Sequence, residues 1–180
     1  MQGEPSQMKR QTLTVTAIAL CATLVFAAIA VATTVRGTQG DDTLTGTEDA
    51  DKIIAKKGDD TVDALGGDDV VKAGRGEDTV NGGLGNDRLA GKGDADTLNG
   101  DDGDDFLAGG KGADELDGGA GNDTIKGRGD GNKADTIVCG DDVDTVKADR
   151  NDVVPEDGTC ESVERSGGGQ GKAKGPKTKT

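Results

Sequence analysis

Aspartate occupies the sixth position of ten consecutive nine-residue units that run without a gap from Gly37 to Lys126. These residues are Asp42, Asp51, Asp60, Asp69, Asp78, Asp87, Asp96, Asp105, Asp114 and Asp123. Carboxylates on so regular a grid repel one another strongly unless cations sit between them. Cation binding is therefore the chemistry they point to. Two residues after each aspartate comes an aliphatic side chain: Leu44, Ile53, Val62, Val71 and Val80, then Leu89, Leu98, Leu107, Leu116 and Ile125. The phase never slips, so the period is structural.

The elements that must position these acids are short. Units such as Gly82-Gly83-Leu84-Gly85-Asn86-Asp87-Arg88-Leu89-Ala90 and Gly118-Gly119-Ala120-Gly121-Asn122-Asp123-Thr124-Ile125-Lys126 read as a glycine-rich turn followed by a very short strand. Glycines at the first, second and fourth positions are expected to permit left-handed backbone, so that the turn is tight and its carbonyls converge. Alternation over the last three positions sends the aliphatic residue to one face. One unit buries nothing alone. Two units per coil, with one strand on each side, give an all-β fold: a right-handed parallel β-roll, or β-solenoid, whose stacked coils share a continuous core. Five coils at about 4.8 Å each predict a rod roughly 24 Å long.

The repeat resembles the RTX, or hemolysin-type, calcium-binding nonapeptide family, whose pattern is Gly-Gly-x-Gly-x-Asp-x-aliphatic-x. The resemblance implies calcium held between adjacent turns of one edge by turn carbonyls and by sixth-position aspartates two units apart. The same-edge pairs are then Asp42 with Asp60, Asp60 with Asp78, Asp78 with Asp96 and Asp96 with Asp114 on one edge. On the other they are Asp51 with Asp69, Asp69 with Asp87, Asp87 with Asp105 and Asp105 with Asp123. Up to eight sites follow. An oxygen-only ligand set suits calcium, whereas magnesium sheds its water reluctantly and zinc or copper would want nitrogen or sulfur. Ala55, Ala64 and Ala73 replace the first glycine, and Asp49 and Asp94 the fourth. The best-formed turns are therefore expected in units 82–90, 109–117 and 118–126. A cation-free alternative remains, in which the aspartates solubilise a solenoid or form Asx-turns. The segment Asp130-Gly131-Asn132-Lys133-Ala134-Asp135 starts like an EF-hand loop but lacks the glycine required at the sixth position.

Composition bounds the rest. Two phenylalanines, no tyrosine, tryptophan or histidine, and 32 glycines in 180 residues cannot build an ordinary globular core. With a net charge of -14, the chain without a ligand is expected to be a loose ensemble. Residues 1–32 read as a secretory signal, with Lys9 and Arg10 before an uncharged stretch from Gln11 to Val35. Ala28-Ile29-Ala30 and Ala30-Val31-Ala32 both fit cleavage. The same stretch is long enough to be a retained membrane anchor. Either way the repeats end outside. Leu20 before Cys21 argues against lipidation. Cys139 and Cys160 are then the two cysteines left in an exported chain and are expected to pair.

Residues 33–126 are assigned to the calcium-binding roll, 127–164 to degenerate repeats and a disulfide-closed C-terminal cap, and 165–180 to a disordered basic tail. The degenerate units begin at Asp135, Asp144 and Asp152. One sheet is expected to display Thr43, Thr61, Thr79, Thr97 and Glu115, the other Lys52, Val70, Arg88, Phe106 and Thr124. The first reads as exposed β-branched strand rather than an ice-binding face, and the second could contact a partner.

Enzymatic activity is not expected, because uniformly spaced acids on a rod do not form the singular cleft that an active site needs. The chain thus reads as an exported calcium-binding protein, secreted or membrane-anchored with its repeats outside, that folds on binding several ions. The alternative is a structural or adhesive cell-surface β-solenoid. Expected partners are calcium ions and a cell-wall or surface polymer, without nucleic acid. A membrane enters only if the N-terminal segment is retained.

Overall fold

The computed structural model describes residues 32–127, 129, 133–156 and 159–166. The expected signal or anchor, most of the basic tail and part of the insertion after Lys126 lie outside these residues. No helix occurs among the described residues, and every strand pairing is parallel.

Thirteen strands alternate between two sheets, and a fourteenth joins the same sheet as the thirteenth. An eight-stranded sheet contains β1 (Thr34–Arg36), β3 (Lys52–Lys57), β5 (Val70–Arg75), β7 (Arg88–Gly93), β9 (Phe106–Lys111), β11 (Thr124–Lys126), β13 (Thr145–Ala148) and β14 (Ser162–Arg165). A six-stranded sheet contains β2 (Thr43–Thr47), β4 (Thr61–Leu65), β6 (Thr79–Leu84), β8 (Thr97–Asp102), β10 (Glu115–Asp117) and β12 (Thr136–Val138). Through β12 each coil contributes one strand to each sheet, as the β-roll requires, and between β13 and β14 the six-stranded sheet is continued only by the single bridge of Val153 to Thr136. Thr43, Thr61, Thr79, Thr97 and Glu115 stand in register on one sheet, and Lys52, Val70, Arg88, Phe106 and Thr124 on the other.

The aliphatic ladder fills the space between the sheets. Ile53, Val62, Val71, Val80, Leu89, Leu98, Leu107, Leu116 and Ile125 are all fully buried, and Leu44 is partly buried at the N-terminal end. Ala55, Ala64 and Ala73 are also fully buried. First-position residues therefore face inward, and in these three units a methyl group is accommodated there.

The solenoid has about seven coils rather than the five of the regular repeats. It gains β1 at the start and β12 to β14 at the end. The break after Lys126 does not end the stack. The Asp114 N–H reaches Asp135 across a separation of 21 residues instead of 18, and the register resumes on the far side of the insertion. Ile137 and Val146 carry the buried ladder onward. Cys139 and Cys160 form a disulfide with a Cα–Cα distance of 5.4 Å, and both cysteines join the core. Beyond it, the Arg165 guanidinium donates to the carbonyls of Asp149 and Asp152 at 3.2 and 3.1 Å.

Candidate metal centre

The turns position the acids by a division of backbone roles that differs in part from the sequence expectation. Left-handed φ occurs at the second and fourth positions, as at Gly83 (φ 102) and Gly85 (φ 118), and not at the first. Lys56, Leu65, Lys92 and Asp101 hold the second position with positive φ despite carrying side chains, at a cost of roughly 1 kcal/mol each. The first position needs a small residue for crowding instead. A Cβ on Gly82 would collide with Asp87 Oδ2 and stand 2.8 Å from the Gly100 carbonyl oxygen. That pair of oxygens, one from the unit's own aspartate and one from the next coil, recurs over Gly91, Gly100 and Gly118.

Every sixth-position aspartate except the half-buried Asp42 is buried, from Asp51 at 4 % exposure to Asp60, Asp69, Asp78 and Asp123 at 1 %. From Asp60 onward, Oδ1 accepts a hydrogen bond from the backbone N–H of the aspartate one coil earlier, at 2.6 to 3.1 Å. One ladder runs from Asp42 through Asp60, Asp78, Asp96, Asp114 and Asp135 to Asp152. The other runs from Asp51 through Asp69, Asp87, Asp105, Asp123 and Asp144 to Glu161. The two edges anticipated from the repeat are thus real, and each aspartate is aligned with those 18 residues away.

These bonds occupy one oxygen and fix the direction of the other. Oδ2 of Asp60, Asp69, Asp78, Asp87, Asp96, Asp105, Asp123 and Asp144 is buried and accepts no hydrogen bond. A buried carboxylate oxygen without a donor is costly, and a row of them calls for a cation. The residues therefore fit a bound metal. No three His, Cys, Asp or Glu side chains converge among the described residues, so each ion would draw most of its ligands from turn carbonyls. Such an oxygen-rich set suits calcium, which takes six to eight oxygen ligands with loose geometry.

The electrostatics agree. Burial, only partly offset by the backbone hydrogen bond and reinforced by neighbouring acids, pushes Asp69, Asp78, Asp123 and Asp144 up to about 6. The same balance takes Asp87 and Asp105 to about 7 and Asp96 to about 8, and it raises Asp60 as well. Without a cation, the central carboxylates hold protons near neutrality.

Asp42 and Asp51 are different. Both oxygens of Asp51 are used: Thr33 donates its N–H and hydroxyl to Oδ1 at 2.7 Å, and Thr47 donates both groups to Oδ2 at 2.7 and 2.9 Å. Burial raises Asp51, but these four bonds together outweigh it and hold the carboxyl below its usual value. Thr38 serves Asp42 in the same way through its N–H and hydroxyl. Beside them, the Lys56 ammonium donates to the Gly37 carbonyl. The first coil thus supplies its own donors where later coils present bare oxygens. The signal was visible as threonine at the second position, but only the folded turn shows that it reaches the aspartate.

Nor does alanine at the first position close a site, because Asp60, Asp69 and Asp78 keep the same bare Oδ2 as Asp87. Sequence reasoning left Asp135 and Asp144 out of the candidate ligands, although both units had been noticed as degenerate. Their carboxylates continue the two ladders. It also passed over the fifth position, where Asp68, Asn86 and Asp104 each accept the N–H of the residue one coil later, at 2.8 to 2.9 Å, and form an exposed second ladder.

No curated protein and no solved structure matches the chain. A family model, RTX calcium-binding nonapeptide repeat (4 copies), matches residues 32–62, 56–89, 63–98, 90–125 and 99–133. With that match extending over residues 32–133, more than half of its length, the protein belongs to the family of RTX calcium-binding nonapeptide repeats.

Proposed function

We propose that the chain is an exported calcium-binding protein whose solenoid folds as its turn edges fill. The observation that carries this reading is the pair of rows of buried Oδ2 atoms without hydrogen-bond donors. Asp60, Asp78 and Asp96 would serve one edge, and Asp69, Asp87, Asp105, Asp123 and Asp144 the other. Calcium supplies the positive charge that lets these carboxylates stay ionised in a desolvated position. The chain's own groups do the positioning: backbone N–H groups clamp Oδ1, and left-handed turns bring carbonyls towards Oδ2.

Coupling to folding follows from the cost of the alternative. Stacking the coils without a cation buries like charges or forces them to take up protons, and the narrow aliphatic core offsets little of that. A ligand that binds only the stacked state then shifts the folding equilibrium by mass action. Export is supported by Lys9 and Arg10 ahead of the uncharged stretch 11–35, and by a disulfide of the kind that persists in oxidising compartments. We assign no catalytic role, since the acids repeat along the rod and the chain has no histidine to act as a base.

Circular dichroism during a calcium titration tests the proposal. Strand signal should rise with calcium and fall when a chelator is added. An unchanged spectrum between chelator and millimolar calcium would refute it.

A further inference from the structure

The outer surfaces of the two sheets differ in sign. Arg36, Lys52, Lys72 and Arg88 stand exposed on the eight-stranded sheet, with Lys126 and Lys147 half-buried in the same rows. Glu164, on the terminal strand, is the one acid in the eight strands. No strand of the six-stranded sheet carries a lysine or arginine. In a chain of net charge -14 this cationic face is a local inversion of sign.

Parallel, in-register pairing makes the face a straight strip. Successive strands lie about 4.8 Å apart, so eight of them extend roughly 34 Å along the solenoid axis, and Lys52 and Arg88 stand about 10 Å apart. The strip is only two rows of outward side chains wide. Two of its cations are held in place: the Arg88 guanidinium lies 4.3 Å and the Lys126 ammonium 4.5 Å from the centre of the Phe106 ring. Stacking of this kind limits the side-chain freedom that binding would otherwise cost.

We propose that this face binds a linear anionic polysaccharide lying along the solenoid axis. Charge complementarity and the narrow, straight shape of the strip carry the assignment. A bilayer fits less well. The exposed large apolar residues Leu84, Val138, Val143 and Val153 all lie off this face, and Ile54, Val70 and Phe106 on it are half-buried in the rows of cations, so it offers no fully exposed apolar side chain to insert. A single-stranded nucleic acid would want a free aromatic platform, whereas Phe106 is already covered by Arg88 and Lys126. The inference rests on calcium-dependent folding, because only the stacked sheet aligns residues that are 18 apart in the chain. Filling the turn edges also removes the acidic field that would repel a polyanion.

Binding of the full chain to chondroitin sulfate, measured in millimolar calcium and in chelator with circular dichroism on the same samples, tests this. Binding should appear only in calcium and weaken with salt. The combined change Lys52→Gln, Lys72→Gln and Arg88→Gln should weaken it by about tenfold or more while leaving the calcium-dependent spectrum intact. An equal loss of charge outside the sheet, Lys172→Gln with Lys174→Gln and Lys177→Gln, should change it by less than about twofold. A calcium-responsive protein that does not hold the polysaccharide, or equal losses from the two triple variants, would overturn this inference and leave the calcium reading standing. A spectrum indifferent to calcium would remove the reading beneath it. Tighter capture by phosphatidylglycerol vesicles or by a single-stranded oligonucleotide through the same three residues would overturn the choice of partner.

Discussion

Turns that lead into Asp60, Asp78 and Asp96 carry Lys56, Lys57, Arg75 and Lys92 at their second and third positions. Turns that lead into Asp69, Asp87 and Asp105 carry Leu65, Gly66, Gly83, Leu84, Asp101 and Asp102 there. The aspartate registers are the same, and so are the N–H to Oδ1 bonds. What differs is the charge of the second and third turn positions, although acids such as Asp59 and Asp94 flank the first edge as well. The first edge follows the basic sheet and inherits cations that compete with a metal ion, as Lys56 does at the Gly37 carbonyl. The second edge follows the uncharged and acidic sheet, and its flanking acids reinforce the pull. Equal ladders therefore do not imply equal sites, and the second edge should fill first.

The largest test of that contrast empties both edges at once. Chelation should abolish the strand signal throughout; retention of half of it would mean that one edge is stable without metal. Next come paired substitutions at matched depth. Asp87→Ala on the second edge should weaken the tighter class of calcium sites by about tenfold in calorimetry, about 1.4 kcal/mol, whereas Asp78→Ala should act on the weaker class. Equal effects on one class would erase the distinction between edges.

A third variant probes the coil that supplies its own donors. Thr47→Val should lower stability in saturating calcium by about 1 kcal/mol, read from the urea midpoint, with no change in the number of ions bound. A lost ion would place Asp51 among the metal sites. The smallest effect belongs to the competing cations. Lys56→Gln with Lys92→Gln should tighten the weaker class by a few-fold, on the order of 0.5 kcal/mol, and bring the two classes closer together. No change would show that these side chains lie too far into solvent to matter.

Much of the site was legible in advance because a nine-residue period leaves few ways to stack. Asp69 and Asp87 had to share an edge once two units made a coil. What could not be read was the use of each oxygen. Glycine at the first position looked like a conformational need, but Gly82 is small because Asp87 Oδ2 and the Gly100 carbonyl crowd it, and Gly100 lies 18 residues ahead. Asp51 looked like any other rung until Thr33 and Thr47 were seen to enclose it. The stretch after Lys126 looked like the end of the roll, since an insertion hides a register that only strand pairing restores.

The sequence by itself determined the period, the alternation of faces and therefore the parallel β-roll with two rows of acids. Those features depend on local spacing and on the rule that side chains alternate along a strand. Only the tertiary structure decided which oxygens are bare, which are served by threonine, and which edge lies beside the lysines. Each of these depends on groups about two units apart in the chain and one coil apart in space, a relation fixed when the coils stack.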